Sequence, residues 1–150
     1  MKNFAVICIT ISENHGDMII TINGTTTVYF HSQDKGICDS KIREVVENKG
    51  KFLVYARKKN GPFIYYGRTN NSQIIRDRQV PVMEKASIDQ RLKISLIIDN
   101  HLPVEVPRIF NDGCKFKKDL LFHAGLRNIN NEQIIPHDGR DLVGVYCCRI

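Results

Sequence analysis

The 150-residue chain has no apolar run approaching the roughly 20 residues that a bilayer-spanning helix requires, so no membrane role is expected. It has no CxxC pair. Its five cysteines, Cys8, Cys38, Cys114, Cys147 and Cys148, are odd in number and include one adjacent pair, which does not make a disulfide framework. That usage fits a reducing compartment, so the expected location is intracellular, in cytoplasm or nucleus, and not secreted. The amino-terminal MKNFAVICITISENHGD has one lysine, a short apolar stretch broken by Thr and Ser, and no small-residue cleavage site. It reads as a first strand rather than as a targeting segment. Neither GxGxxG nor GxxxxGK followed by Ser or Thr occurs, so no phosphate-cradling loop is signalled.

Internal repeats, low-complexity tracts and long linkers are also lacking, and the length suits one domain over residues 1–150. A domain of that size buries roughly 70% of the surface its unfolded form exposes, so neither disulfide nor metal is required for stability. What the chain does have is cationic charge in one place. Between Lys41 and Lys93 there are thirteen Lys or Arg against five Asp or Glu, a surplus of +8, while the remainder carries −2 of the net +6. A local surplus of that kind concentrates polyanions, although it says nothing of fold or specificity. The competing reading is a solvated basic surface or one that meets an acidic protein.

Within that stretch, KFLVYARKKNGPFIYYGRT from Lys51 to Thr69 places two aromatic-rich apolar segments on either side of Asn60-Gly61. The pair predicts a β-hairpin with a two-residue type I′ turn. Arg57, Lys58, Lys59 and Arg68 flank this turn, and Arg76 and Arg78 follow after a short loop. If that loop folds back, six cations line one end of the sheet. Tyr65 and Tyr66 face opposite sides of their strand, so at most one stacks on a base and the other joins the core with Phe52 or Phe63.

Regular helix is scarce. Phe4 to Ile11, Asp17 to Ile22 and Thr25 to Phe30 are β-branched apolar segments separated by polar and Asn-Gly breaks, which predicts three strands in a meander. Asp39 or Ser40 is placed to cap a short helix from Lys41 to Asn48, with Ile42, Val45 and Val46 on one face. Asn70 to Arg78 reads as a polar connection with strand potential at Ile74-Ile75. In RLKISLIID, Leu92, Ile94, Leu96 and Ile98 alternate with polar residues as in a half-buried strand. Pro103, Pro107 and Gly113 mark a loop with a short strand at Val104 to Val106. Lys115 to Arg127 is a second helix candidate, and Asp141 to Ile150 a terminal strand. The expected fold is therefore α+β and β-rich, a single domain with a mainly antiparallel sheet or partly closed barrel and two short helices.

FHSQ at Phe30 to Gln33, Gly50-Lys51, LVYAR at Leu53 to Arg57 and PFIYYG at Pro62 to Gly67 resemble the small β domain of unknown function found near the carboxyl end of bacterial restriction-type helicases and HNH nucleases. The resemblance covers roughly residues 29 to 98. It implies a compact β domain that accompanies DNA-processing machinery as a DNA-reading module, and it implies no catalytic residue.

The residues themselves signal little chemistry. Cys114, His123, His137 and Cys147 or Cys148 match no common zinc-finger spacing, so no metal and no cofactor are expected. Asp34, Asp39, Lys41 and His31 would have to converge for a metal-dependent nuclease. No cysteine sits in a context that activates a thiolate. His31, beside Gln33 and Asp34 at a strand end, is the histidine best placed to face a ligand. The resulting expectation is a non-catalytic nucleic-acid-binding module, DNA rather than RNA, using Arg57, Lys58, Lys59, Tyr66, Arg68, Arg76, Arg78 and His31. An accessory protein of a virus or mobile element fits a lone module of this size. The alternative is a protein–protein factor acting through the same basic face or a sheet edge.

Overall fold

The computed structural model describes residues 4–12, 14, 16–99, 103–105 and 142–148. The strands are β1 (Phe4–Ile11), β2 (Met18–Ile22), β3 (Thr25–His31), β4 (Lys51–Lys58), β5 (Ile64–Arg68), β6 (Asn71–Arg76), β7 (Lys93–Asp99), β8 (Val104–Glu105) and β9 (Leu142–Cys148), with helix α1 at Asp39–Glu47. They form a five-stranded sheet in the order β8-β5-β4-β1-β9 and a four-stranded sheet in the order β2-β3-β7-β6. Neither sheet closes into a barrel. Among the described residues five of the seven strand pairings are antiparallel, and the two parallel ones both involve β1, which lies between β4 and β9.

The meander expected for the first three strands is corrected by this topology. β2 and β3 pair as a hairpin, but β1 belongs to the other sheet. The reason lies in its composition. Ala5 to Ile9 are fully buried, as are Phe52 to Ala56 of β4, so both faces of each strand lie in apolar surroundings. Continuous apolar runs suit interior strands of this kind, whereas a meander open to water on one side needs alternation. β7 keeps the alternation: Leu92, Ile94, Leu96 and Ile98 face the core shared with Ala5, Ile7 and Ile9 of β1 and Phe52, Val54 and Ala56 of β4. Val28 and Phe30 of β3 and Ile42 and Val45 of α1 complete that layer.

Helix α1 forms where expected, and its buried Ile42 and Val45 explain its position against the core. Its cap differs from expectation. The N-cap is Cys38, with no side-chain capping bond, because the Asp39 carboxylate is drawn to Arg78. The second helix candidate, Lys115 to Arg127, lies outside the described residues. Among those described, a 3-10 turn at Ile88–Gln90 is closed by Ser87 and Gln90. The segment expected as a polar connection contains β6, which pairs with β7 although half its residues are exposed. No described helix is long and apolar enough to cross a membrane.

Candidate nucleic-acid interface

β4 and β5 form the expected hairpin, with Ala56 opposite Ile64 and Tyr55 opposite Tyr65. Its turn is not type I′. The Gly61 amide donates to the Lys58 carbonyl (2.9 Å), and of the central residues only Asn60 has positive φ (64°). The turn thus spans Lys58 to Gly61, and Pro62 and Phe63 continue the loop before β5. Pro62 fixes its own φ and donates no amide hydrogen, so it cannot extend the ladder to meet a two-residue turn.

A bulge then sets the tyrosines apart. Tyr55 pairs with Tyr65 but Val54 pairs with Gly67, which leaves Tyr66 without a partner on β4, and Gly67 takes φ 121° to accommodate it. Bulges re-aim side chains in this way. Tyr65 is fully buried, as expected of one of the two tyrosines, and its ring lies against Tyr55 with centroids 4.9 Å apart. Tyr66 is half-buried on the inter-sheet side and packs against the core margin. Burial holds its phenol above the usual tyrosine range.

β1 and β4 run in parallel with Ile11 opposite Lys58, so the end of β1 and the hairpin tip share one end of the molecule. The loop leaving β1 returns there to start β2. Between β2 and the hairpin lies a cleft of about 790 Å³. Ile11, Met18, Ile19, Ile64 and Tyr66 give it apolar walls, Pro62 and Gly61 belong to the tip loop, and Arg57 and Lys58 supply positive charge. Asp17 also borders it, but its carboxylate is fully buried and occupied. Oδ1 accepts from the His31 amide (3.1 Å) and from His31 Nδ1 (2.9 Å), and Oδ2 accepts from the Ser12 amide (3.1 Å).

The eight residues expected to bind fall into two groups. Lys58 and Lys59 are exposed at the tip. Arg57 is half-buried there, its guanidinium 4.5 Å from the Phe63 ring centroid and its Nε donating to Thr10 Oγ1 (3.1 Å). Tyr66 borders the same cleft. These four come together.

The other four do not join them. Arg68 lies at the opposite end of the hairpin pairing, across from Leu53. Arg76 is drawn inward, its Nη2 donating to the carbonyl of Ile88 (2.9 Å), so it ties β6 to the 3-10 turn. Arg78 is a buried structural arginine: its side chain is 2% exposed, Nε donates to Asp39 Oδ2 (2.6 Å), Nη1 to the Asp34 carbonyl (2.9 Å) and Nη2 to the Gln33 carbonyl (2.6 Å). All three faces of its fork are used. His31 is buried, with its Nδ1 against Asp17 Oδ1.

Asp39, one of the residues a nuclease site would need, is likewise paired with Arg78 through Oδ2. Among the described residues no three His, Cys, Asp or Glu side chains are grouped to hold a metal ion. His15, His101, His123, His137 and Cys114 lie outside the described residues. The contribution missed by sequence reasoning is the β2 side of the cleft. Its signal was present in Met18-Ile19-Ile20-Thr21-Ile22, an uncharged strand with more apolar surface than one sheet face can bury. Comparisons with protein-family models, with curated proteins and with solved structures find no match to this chain.

Proposed function

We propose that this protein is a non-catalytic nucleic-acid-binding module whose contact surface is the tip of the β4–β5 hairpin together with the adjoining cleft. The observation that carries the reading is the pair Lys58 and Lys59, exposed at the hairpin tip with no acidic partner among the described residues, beside an arginine whose guanidinium is held over the Phe63 ring. Mobile lysines act as point charges for phosphate, and a pre-oriented guanidinium loses less freedom on binding. The resemblance over residues 29 to 98 supports DNA as the polyanion and an accessory role beside DNA-processing machinery. An intracellular protein of a virus or mobile element is the setting that fits this role.

The test is binding of the purified protein to single- and double-stranded DNA and RNA over a salt series, with Lys58→Ala/Lys59→Ala as comparison. Affinity is expected to fall with salt, and the variant to flatten the dependence by about 1.5 units on a log–log plot for single strands. Absence of binding at low salt would refute the reading.

A second reading is favoured by β2. This edge strand exposes Met18, Ile20 and Ile22, at 44%, 39% and 64% of their surface, and carries no charge or proline to discourage pairing. It is the surface through which a protein partner would add a strand. Salt-insensitive association with one polypeptide, lost in Ile20→Lys, would favour it.

A further inference from the structure

We infer that the cleft between β2 and the hairpin holds one unstacked nucleobase, so that the protein selects single-stranded or locally unpaired nucleic acid over intact duplex. This rests on the nucleic-acid reading of the hairpin tip and goes beyond it, because a basic tip alone takes any phosphate backbone.

The argument starts from the chemistry a flipped base presents: a flat aromatic face, hydrogen-bonding edges, and a phosphate on each side. The cleft offers a counterpart to each. Its walls are apolar side chains from both sheets, Ile11, Ile19 and Ile64 among them, and Tyr66 adds an aromatic ring. A volume of about 790 Å³ lies within the range of sites that enclose small molecules, roughly 300–1,000 Å³. A base with its sugar enters such a space, whereas a base pair in a stacked duplex cannot.

The polar groups have the right character. The Tyr66 hydroxyl makes no hydrogen bond to a described residue, so it remains both donor and acceptor for a base edge. The one carboxylate among the described residues that borders the cleft, that of Asp17, is turned to His31 and Ser12 and does not oppose an anion. Arg57 and Lys58 stand where the flanking phosphates of an inserted nucleotide would pass. Arg57 Nε is spent on Thr10, and its two terminal amino groups carry no hydrogen bond to a described residue.

The bulge at Tyr66 is part of the same device. In a regular hairpin each residue of β5 would face a residue of β4. The extra residue leaves Tyr66 unopposed at the cleft, while Tyr65 is retained by the core.

The experiment compares two single-stranded oligonucleotides of equal length and charge, one normal and one carrying abasic sites throughout its centre. Measurements at fixed low salt use the parent protein, Tyr66→Ala and Thr21→Trp. Thr21 lies on the β2 side of the cleft and is exposed, so the tryptophan fills the space from β2 and leaves every hairpin residue unchanged. The parent is expected to bind the normal strand about tenfold more tightly than the abasic one, the scale of one base stacked on an aromatic side chain. Both variants are expected to lose that difference and bind the two strands with equal affinity. Equal affinity of the parent for the two strands, with binding retained, would overturn the base-holding cleft and leave the basic tip standing. No binding of either strand would overturn both. If Tyr66→Ala does not fold, Thr21→Trp alone decides the question.

Discussion

Replacing Arg78 by alanine should damage the fold and leave the binding surface alone. The side chain is 2% exposed, its partner Asp39 is 1% exposed, and its fork bridges α1 to the backbone at Gln33 and Asp34. Removing it leaves a buried carboxylate with no cation and two carbonyls with one donor fewer. Breaking one side of a buried ion pair costs about 3–5 kcal/mol, a large part of the roughly 5–15 kcal/mol by which domains are stable. With a urea m-value of about 2 kcal/mol per M, the midpoint of unfolding falls by about 2 M. The other Asp39 oxygen, Oδ1, is buried without a hydrogen-bond partner among the described residues, so the pair is itself imperfect. Arg78→Met/Asp39→Leu should therefore recover about 1–3 kcal/mol of the loss, because it removes the stranded charge along with its partner. Urea titrations of parent, single and double variants followed by circular dichroism supply the three numbers. An Arg78→Ala protein with the parent's midpoint, and with weakened affinity for DNA, would refute the structural role and return Arg78 to the binding surface.

Gly36 has φ +67°, and a Cβ built there would lie 2.5 Å from Arg78 Nε. Gly36→Ala should lower stability by about 1–2 kcal/mol from the left-handed backbone alone, with crowding adding to it, and the loss should be less than additive with Arg78→Ala in thermal unfolding. Lys58→Ala/Lys59→Ala should unfold within about 0.5 kcal/mol of the parent, since both side chains are exposed and neither forms an ion pair with a described residue, so any change in binding is not a folding effect. The raised pKa of Tyr66 gives a pH dependence of definite sign. The folded state holds its phenol proton to higher pH than the unfolded chain, so this contribution to stability is full below about pH 10 and is lost as pH rises above it. Tyr66→Phe should remove that part of the alkaline decline, as read from denaturation midpoints on either side of the transition.

The elements were more legible than their arrangement. Alternation at Leu92, Ile94, Leu96 and Ile98 identifies β7 because one of its faces carries most of the core contact, and the Ile42 and Val45 stripe identifies α1 for the same reason. The sheet to which each strand belongs is another matter. A glycine-containing break after Ile11 is as compatible with a crossing between sheets as with a hairpin, and only the unbroken burial of Ala5 to Ile9 decides between them. That decision was open to the sequence in principle, since FAVICITI lacks the polar alternation of a strand with one wet face. β6 was obscured for the opposite reason: NSQIIR has an edge strand's exposure and few apolar residues to mark it.

The site was half legible, and the division follows the chemistry of the two cations. Charge counting treats Lys58 and Arg78 alike, but the acceptors that hold Arg78 lie 39 to 45 residues earlier, and two of them are backbone carbonyls with no formal charge. A planar five-donor group satisfies such a constellation, and an ammonium does not, so arginines in a basic stretch are the ones most readily drawn into the structure. What remains at the hairpin tip is Lys58, Lys59 and Arg57. Three phosphate contacts imply a salt slope of only about −2 for single strands, and with so few contacts the backbone term alone gives weak binding. Any tight association must then draw on something other than phosphate, and the cleft beside Tyr66 is the described feature able to supply it. A slope several units steeper would place the main cationic contacts elsewhere in the chain and would demote both the tip and the cleft.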